Sequence, residues 1–319
     1  MYCVVTGAAG FVGSHLCERL VRDGHDVAGI DCFIPYYPRE VKEANLAWLR
    51  RQPRFRFYEL DLRTADLTDL VRDADVIFHE AAMAGLLKSW SDFDLYMTCN
   101  VQATQRLLEA MRLHSKGRLI YASTSSIYGR EARGPEDTLP RPVSPYGVTK
   151  LAAEHLCQAY HENFGLDVVV LRYFSIYGPR QRPDMAYHMF IDALLHDRPI
   201  LITGSLEQTR GNTYVLDVVE ATLLAWQKAR SGEIYNIGGG QAISLRRVLE
   251  LLEEITGKRP QIEQRPPRPG DQLHTLADTR RAREQLGWVP RTPIEEGLRA
   301  QVAWQQAMNS SRQRISAID

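Results

Sequence analysis

The stretch YCVVTGAAGFVGSHLCERLVRDGHDVAGID, Tyr2 to Asp31, decides the fold. Tyr2 to Thr6 is a short β-branched run and reads as a strand. The turn Gly7-Ala-Ala-Gly10-Phe11-Val12-Gly13 follows, and Leu16, Leu20 and Val21 then carry a helical period that stops at Gly24. A glycine-rich turn between strand and helix brings backbone N–H groups and a helix N-terminus against a phosphate. The next strand, Asp26 to Ile30, ends in Asp31, whose carboxylate suits both hydroxyls of an adenosine ribose and repels a 2′-phosphate. Cys32 and Phe33 follow, with no arginine close behind. Strand, glycine turn, helix, strand and acid together predict a dinucleotide site for NAD rather than NADP.

Outward from that unit the alternation continues. Strands are predicted at Phe55–Leu60, Asp75–His79, Arg118–Ala122 and Asp167–Tyr173, with a long helix over Asn100–His114. Strands alternating with helices imply a doubly wound parallel sheet of the Rossmann type, covered on both faces. Its ligands bind at the carboxyl ends of the strands. There the sequence places Asp61-Leu62, which brackets an adenine unless Asp61 merely caps the next helix. It also places Ala81-Ala82, small enough for a flat cofactor, and the row Ser123, Thr124, Ser125, Ser126. His79 at a strand end is read as structural.

A second helix starts at Ser144, a good N-cap, with Pro145 at its first position, and stops at Gly165. Tyr146 and Lys150 are four residues apart on it and share a face. Alone, that pair is a packed ring beside a solvated amine. In a cofactor site it is a way to make a base, because a nearby cation favours phenolate and lowers the tyrosine pKa from about 10.

Beyond Tyr173 the rhythm changes. A basic loop, Gly178 to Asp184, leads into predicted helices at Met185–His196 and Asp217–Arg230 and strands at Ile200–Thr203 and Glu233–Ile237. Arg210 and Arg268 are expected in separate loops, where they would hold a diphosphate outside the nucleotide domain. Helices at Leu245–Ile255 and Pro293–Met308 complete a smaller C-terminal α/β lobe. The expected division is 1–171 plus about 213–237 for NAD, and about 172–212 plus 238–319 for substrate.

Composition bounds the partners. The 319 residues are 44% hydrophobic and 24% charged, with 39 basic against 39 acidic side chains. That balance gives no nucleic-acid footprint, and no apolar run reaches the roughly 20 residues of a membrane span. MYCVVTGAAG lacks a leader pattern, and five scattered cysteines without metal-ligand spacing predict a reducing, cytoplasmic setting and no metal.

With the glycine turn, Asp31, the Thr124 cluster and Tyr146-x-x-x-Lys150 on the page, the chain resembles the extended short-chain dehydrogenase/reductase family, in its nucleotide-sugar 4-epimerase branch. The resemblance runs through TGAAGFVGSHL at Thr6, STSSIYG at Ser123, SPYGVTK at Ser144, LRYFSIYGPRQRPDMA at Leu171 and RPGD at Arg268. It implies a tightly bound NAD held by Gly7, Gly10, Phe11, Val12, Gly13, Asp31, Asp61, Leu62, Ala81, Ala82, Asn100, Ser123, Tyr146, Lys150 and Tyr173. Thr124, Tyr146 and Lys150 are the implied catalytic set. Thr124, Ser125, Ser126, Ser175, Arg182, Arg210, Arg268 and Asp271 are the implied contacts of a UDP-sugar.

Similar 4,6-dehydratases carry Asp-Glu where this chain has Ser125-Ser126, and similar decarboxylases carry Glu at Ser126, so epimerisation is favoured. UDP-glucose 4-epimerases usually read RYFN; Ser175 at that fourth position resembles UDP-glucuronate 4-epimerases instead. That branch commonly has AGVR, whereas this chain has Ala84-Gly85-Leu86-Leu87, and its usual RDF is Arg210-Gly211-Asn212. UDP-glucuronate is the first expectation, and UDP-glucose or another UDP/dTDP sugar the alternative. A non-catalytic NAD sensor on the same fold is the competing class. In the family, the helices at Asn100–His114 and Pro145–Phe164 pair across a homodimer.

Overall fold

The computed structural model describes residues 1–239, 241–266 and 274–316, with side chains to residue 310. Seven strands form one sheet in the spatial order Ile234–Ile237, Val168–Tyr173, Arg118–Thr124, Val76–His79, Tyr2–Thr6, Asp26–Asp31, Phe55–Glu59. Every neighbouring pair is parallel. The chain enters at Tyr2–Thr6, builds outward to Phe55–Glu59, then crosses to Val76–His79 on the other side. That reversal opens a crevice at the carboxyl ends of the first and fourth strands, where open α/β sheets take ligands.

The strands read as apolar runs because both faces are buried. Alternation sends Cys3, Val5, Phe78, Ile120 and Val169 to one core, with the helices Phe11–Arg22 and Val215–Lys228. Val4, Ile77, Leu119, Tyr121 and Val170 go to the other, with the helices Ala103–His114 and Pro145–Phe164. A third core gathers Tyr187, Phe190, Ile191, Leu249, Leu252 and Leu298 from the helices Ala186–Leu195, Leu245–Thr256 and Ile294–Ser316.

Several expectations are corrected. The helix expected from Asn100 is a π-helical segment over Met97–Gln102 that turns α-helical only at Ala103. Arg210 lies in a strand, Thr209–Gly211, rather than a loop. That strand belongs to a four-stranded sheet with Ala242–Ser244, His274–Ala277 and Glu131–Gly134. The last of these comes from the segment between Thr124 and Tyr146, so the second sheet is tied into the first half of the chain. No helix of the described residues is long and apolar enough to cross a membrane.

Candidate active site

The glycine turn is shaped by close backbone approach. A Cβ on Gly13 would stand 2.2 Å from the Gly7 carbonyl oxygen, and one on Gly7, whose φ is +70°, would stand 2.8 Å from the Ala81 nitrogen. The Phe11–Arg22 helix therefore starts directly on the strand end. Gly10 caps it without a side-chain bond and no acid occupies its first turn, which leaves the N-terminal amides to a phosphate. Phe11 is buried and Val12 packs on the core, which leaves their backbone amides as the groups at the helix start.

Asp31 lies 9% exposed at the end of the second strand. Its Oδ1 accepts from the Phe33 amide at 2.8 Å and from Lys42 Nζ at 3.3 Å. Lys42 was missed in the sequence because it comes eleven residues later, from the helix Arg39–Leu46, and rests against the Phe33 and Tyr37 rings. Asp61 is gripped by its neighbour: Arg63 donates Nε at 2.9 Å to one carboxylate oxygen and Nη2 at 2.6 Å to the other. Leu62 buries its side chain in the core. Ala81 donates its amide to Thr6 Oγ1 at 3.1 Å, and Ala82 is exposed on the crevice side of the turn.

Asn100 stands one step back from the crevice. Its Oδ1 accepts from the Met83 amide at 2.8 Å, and its Nδ2 donates to Met83 O at 2.9 Å and Thr149 Oγ1 at 3.0 Å. Both amide hydrogens thus hold the Met83 segment against the Pro145–Phe164 helix. His79 is structural as expected, bridging Thr6 Oγ1 at 2.7 Å and Thr104 Oγ1 at 3.0 Å, and burial drives its pKa down to about 3.

The catalytic helix begins as the sequence predicts. Ser144 Oγ accepts from the Gly147 amide at 3.1 Å, Pro145 follows, and Gly165 closes it in the left-handed conformation. A carboxylate that the sequence reading did not single out locks this helix to the sheet. Glu154 receives Ser123 Oγ at 2.7 Å and pairs with Arg172 at 2.5 Å, with side chains 3% and 4% exposed. Arg172 also donates Nη1 to Tyr128 Oη and Glu136 O, each at 2.6 Å. The only sequence signal was a Lys150-x-x-x-Glu154 spacing, which looks like an ordinary helix-surface pair. Ser123 therefore spends its hydroxyl on this lock.

Thr124 Oγ1 accepts from the Ser126 amide at 3.2 Å and donates to Ser126 Oγ at 3.3 Å, so these two hydroxyls form a linked pair. Burial raises the Tyr146 pKa, opposed by the Thr124 hydroxyl and the Arg182 guanidinium. The expectation that Lys150 supplies the lowering is corrected: its Nζ sits 4.3 Å over the Tyr121 ring, and burial lowers its own pKa to about 8. Glu80 was overlooked in the sequence because it directly follows the structural His79. Its carboxyl accepts from Tyr173 Oη at 2.9 Å, and Tyr173 Oη also meets Thr222 Oγ1 at 2.7 Å. Burial pushes Glu80 up to about 7 against the Tyr173 hydroxyl and the Lys150 cation.

A cavity of about 1040 Å³ opens in the smaller lobe, lined by Ser175, Asp184, Tyr187, Arg210 and Asn212. Arg182 donates Nε to Asp184 Oδ1 and Nη2 to Asp184 Oδ2, each at 2.9 Å, and lies 5.4 Å from the Tyr36 ring centre. The loop is bolted to the glycine-turn helix. Arg180, in the left-handed region at φ +67°, donates to Ser14 Oγ at 3.2 Å and pairs with Glu18, while His15 donates to Pro179 O at 2.9 Å. Leu87 is 50% exposed on the cavity wall, and Lys88 turns away, its Nζ 4.3 Å from the Tyr36 ring centre. Arg268 and Asp271 lie outside the described residues.

The glycine cradle, the uncapped helix start and Asp31 fit a dinucleotide, with a phenol and an ammonium at the far end of the crevice. The model of the NAD dependent epimerase/dehydratase family matches residues 3–238. The chain is 44% identical over 308 residues to YtcB of Bacillus subtilis, described as an uncharacterized UDP-glucose epimerase, covering 95% of this chain and 98% of that one. It is 37% identical over 309 residues to a UDP-glucuronate 4-epimerase of Thermodesulfobacterium geofontis, covering 95% of each. A crystal structure of the UDP-glucuronic acid 4-epimerase of Bacillus cereus, in complex with UDP-glucuronic acid and NAD, superposes with a TM-score of 0.94 at 43% identity, covering 97% of this chain and 100% of that one. Cradle, catalytic helix and whole-length similarity agree, and the chain belongs to the NAD dependent epimerase/dehydratase family.

Proposed function

We propose that this protein is an NAD-dependent 4-epimerase of a UDP-sugar, and that UDP-glucuronate, converted to UDP-galacturonate, is its substrate. The observation that carries the reading is the meeting of Thr124 and Tyr146 beside Ser125 and Ser126, where the similar dehydratases and decarboxylases carry an acid. Dehydration and decarboxylation each lean on an extra acid there. Epimerisation needs one proton in transit, and Tyr146 Oη takes it from the C4 hydroxyl as general base. Thr124 Oγ1 holds the C4 oxygen, the Arg182 charge favours the phenolate, and Lys150 holds the cofactor ribose. NAD, when bound, accepts and returns the hydride. The resulting 4-keto sugar turns about its diphosphate link while Arg210 retains the nucleotide. Arg268 and Asp271 belong to the nucleotide grip on the family's pattern.

Ser175 and Arg182 favour the uronate through hydrogen bonds to its C6 carboxylate. UDP-glucose is the second reading, favoured by Leu87, which puts an alkyl chain where the uronate branch commonly has arginine. In this reading residues 1–171 with about 213–237 hold NAD, and the remainder holds the sugar nucleotide. A homodimer through the helices Ala103–His114 and Pro145–Phe164 belongs to it, supported by Leu113, Val148 and Phe164 exposed on them. So does a cytoplasmic setting, supported by five free cysteines.

The test is incubation with UDP-glucuronate and UDP-glucose separately, following the C4 proton by NMR. Appearance of the galacto epimer from the uronate in excess over that from UDP-glucose is expected. Release of CO₂ would move the chain to the decarboxylases, and no change with either sugar would leave an NAD-binding sensor.

A further inference from the structure

The residues assigned to the sugar carboxylate contain an unexpected feature. Arg182, the cation of that subsite, already holds a carboxylate, and holds it through two parallel bonds of 2.9 Å to Asp184. Asp184 is engaged from a second side by Tyr36 Oη at 3.3 Å, and its side chain is 38% exposed on the cavity wall. The bonds use Arg182 Nε and Nη2, which leaves Nη1 outside the ion pair. The guanidinium side chain is 20% exposed, and its charge reaches Tyr146 on the catalytic helix. Asp184 thus stands on the cavity wall, and the Arg182 it pairs with also acts on the base.

We propose that Asp184 determines sugar selectivity by balancing the Arg182 charge, so that a C6 carboxylate is gripped weakly enough for the sugar to turn. The proposal rests on the uronate reading above. A carboxylate facing an unbalanced, half-buried arginine forms a bidentate charge-assisted pair that resists rotation. Here the incoming carboxylate meets only the Nη1 edge of a neutral pair, plus the Ser175 hydroxyl. A neutral CH₂OH group at C6 meets the same pair with no charge term. Asp184 thus narrows the affinity gap between uronate and neutral hexose, and it makes room for the half-turn that epimerisation needs. It also moderates the pull of Arg182 on the Tyr146 proton.

The test separates binding from turnover. NAD-loaded protein carrying Tyr146→Phe is titrated with UDP-glucuronate and UDP-glucose by calorimetry, with and without Asp184→Asn. Asp184→Asn keeps the shape and removes the charge, and it is expected to tighten UDP-glucuronate about tenfold, the scale of one hydrogen bond to a charged group. UDP-glucose is expected to stay within about twofold. On the Tyr146 background, the same change lowers kcat for the uronate as KM falls. Tyr36→Phe removes a donor to Asp184 without changing charge, and leaves the affinity ratio where it was. Equal change for both sugars, or none for the uronate, overturns the proposal. Failure of the parent chain to epimerise UDP-glucuronate overturns the uronate reading instead, and the ratio of affinities still decides the role of Asp184.

Discussion

The cofactor crevice and the sugar subsite sit side by side and are built from different materials. The crevice is made of backbone: Gly7 and Gly13 let strand, helix start and Ala81 close up to distances that no side chain tolerates. The sugar subsite is made of side chains on a loop, with Arg182, Asp184 and Tyr36 holding one another at partly exposed positions. Backbone sterics are all-or-none, whereas half-exposed ion pairs are graded and worth little each. Changes in the crevice should therefore abolish, and changes in the subsite should retune.

The largest effect expected is that of Gly13→Ala, whose Cβ would stand 2.2 Å from Gly7 O. Denaturing the purified variant and assaying released NAD should give a background signal, while Asp184→Asn should retain the parent content. Equal losses would erase the distinction. Tyr146→Phe is expected to lower kcat by about 10²–10⁴ with nucleotide binding kept, the range of a general-base contribution. Near-native turnover would remove Tyr146 from its role.

Glu154 ties the Pro145–Phe164 helix to the sheet through Ser123 and Arg172. Glu154→Gln leaves Arg172 buried without its counter-charge, and a loss of about 3–5 kcal/mol in denaturant unfolding is expected. A loss below about 1 kcal/mol would mean that the pair does not lock the helix to the sheet. Glu80 gives a pH signature. Its folded pKa of about 7 is above its ordinary value, so its stabilising contribution is present in acid and fades as pH rises through about 7. Glu80→Gln should therefore gain up to about 3 kcal/mol relative to the parent at pH 8 and little at pH 5. A pH-independent difference would show that the carboxyl ionises freely. The smallest effect belongs to Ser144→Ala, about 1 kcal/mol for a lost N-cap bond, with kcat nearly intact.

The same contrast governs what could be read from the residues alone. The cradle was legible because steric demands leave a mark in residue type: only glycine fits, and Tyr146, Lys150 and Ser144 follow from helix spacing and capping. Partnership between distant segments leaves no such mark. Lys42 meets Asp31, Glu154 meets Arg172 and Asp184 meets Tyr36 across folds of chain that periodicity cannot foresee. The bracing bonds of the Asn100 amide to Met83 and Thr149 were equally invisible in the residues alone. The short strands of the second sheet were missed for a related reason. Thr209–Gly211 and Ala242–Ser244 are three residues each, too brief to show an alternation.

The bolt at Arg180 has a thermodynamic consequence. Ser14 and Glu18 sit on the helix that opens the glycine cradle, and Arg180 ties them to the loop that carries Arg182. Whatever steadies that helix steadies the loop. Occupancy of one side and order of the other then draw on a single free energy, which by linkage must act equally in both directions. NAD should be held more firmly when the sugar nucleotide is present, and the sugar nucleotide more firmly when NAD is. Cutting the bolt with Arg180→Ala would leave two good but independent sites, an enzyme whose halves no longer know of each other.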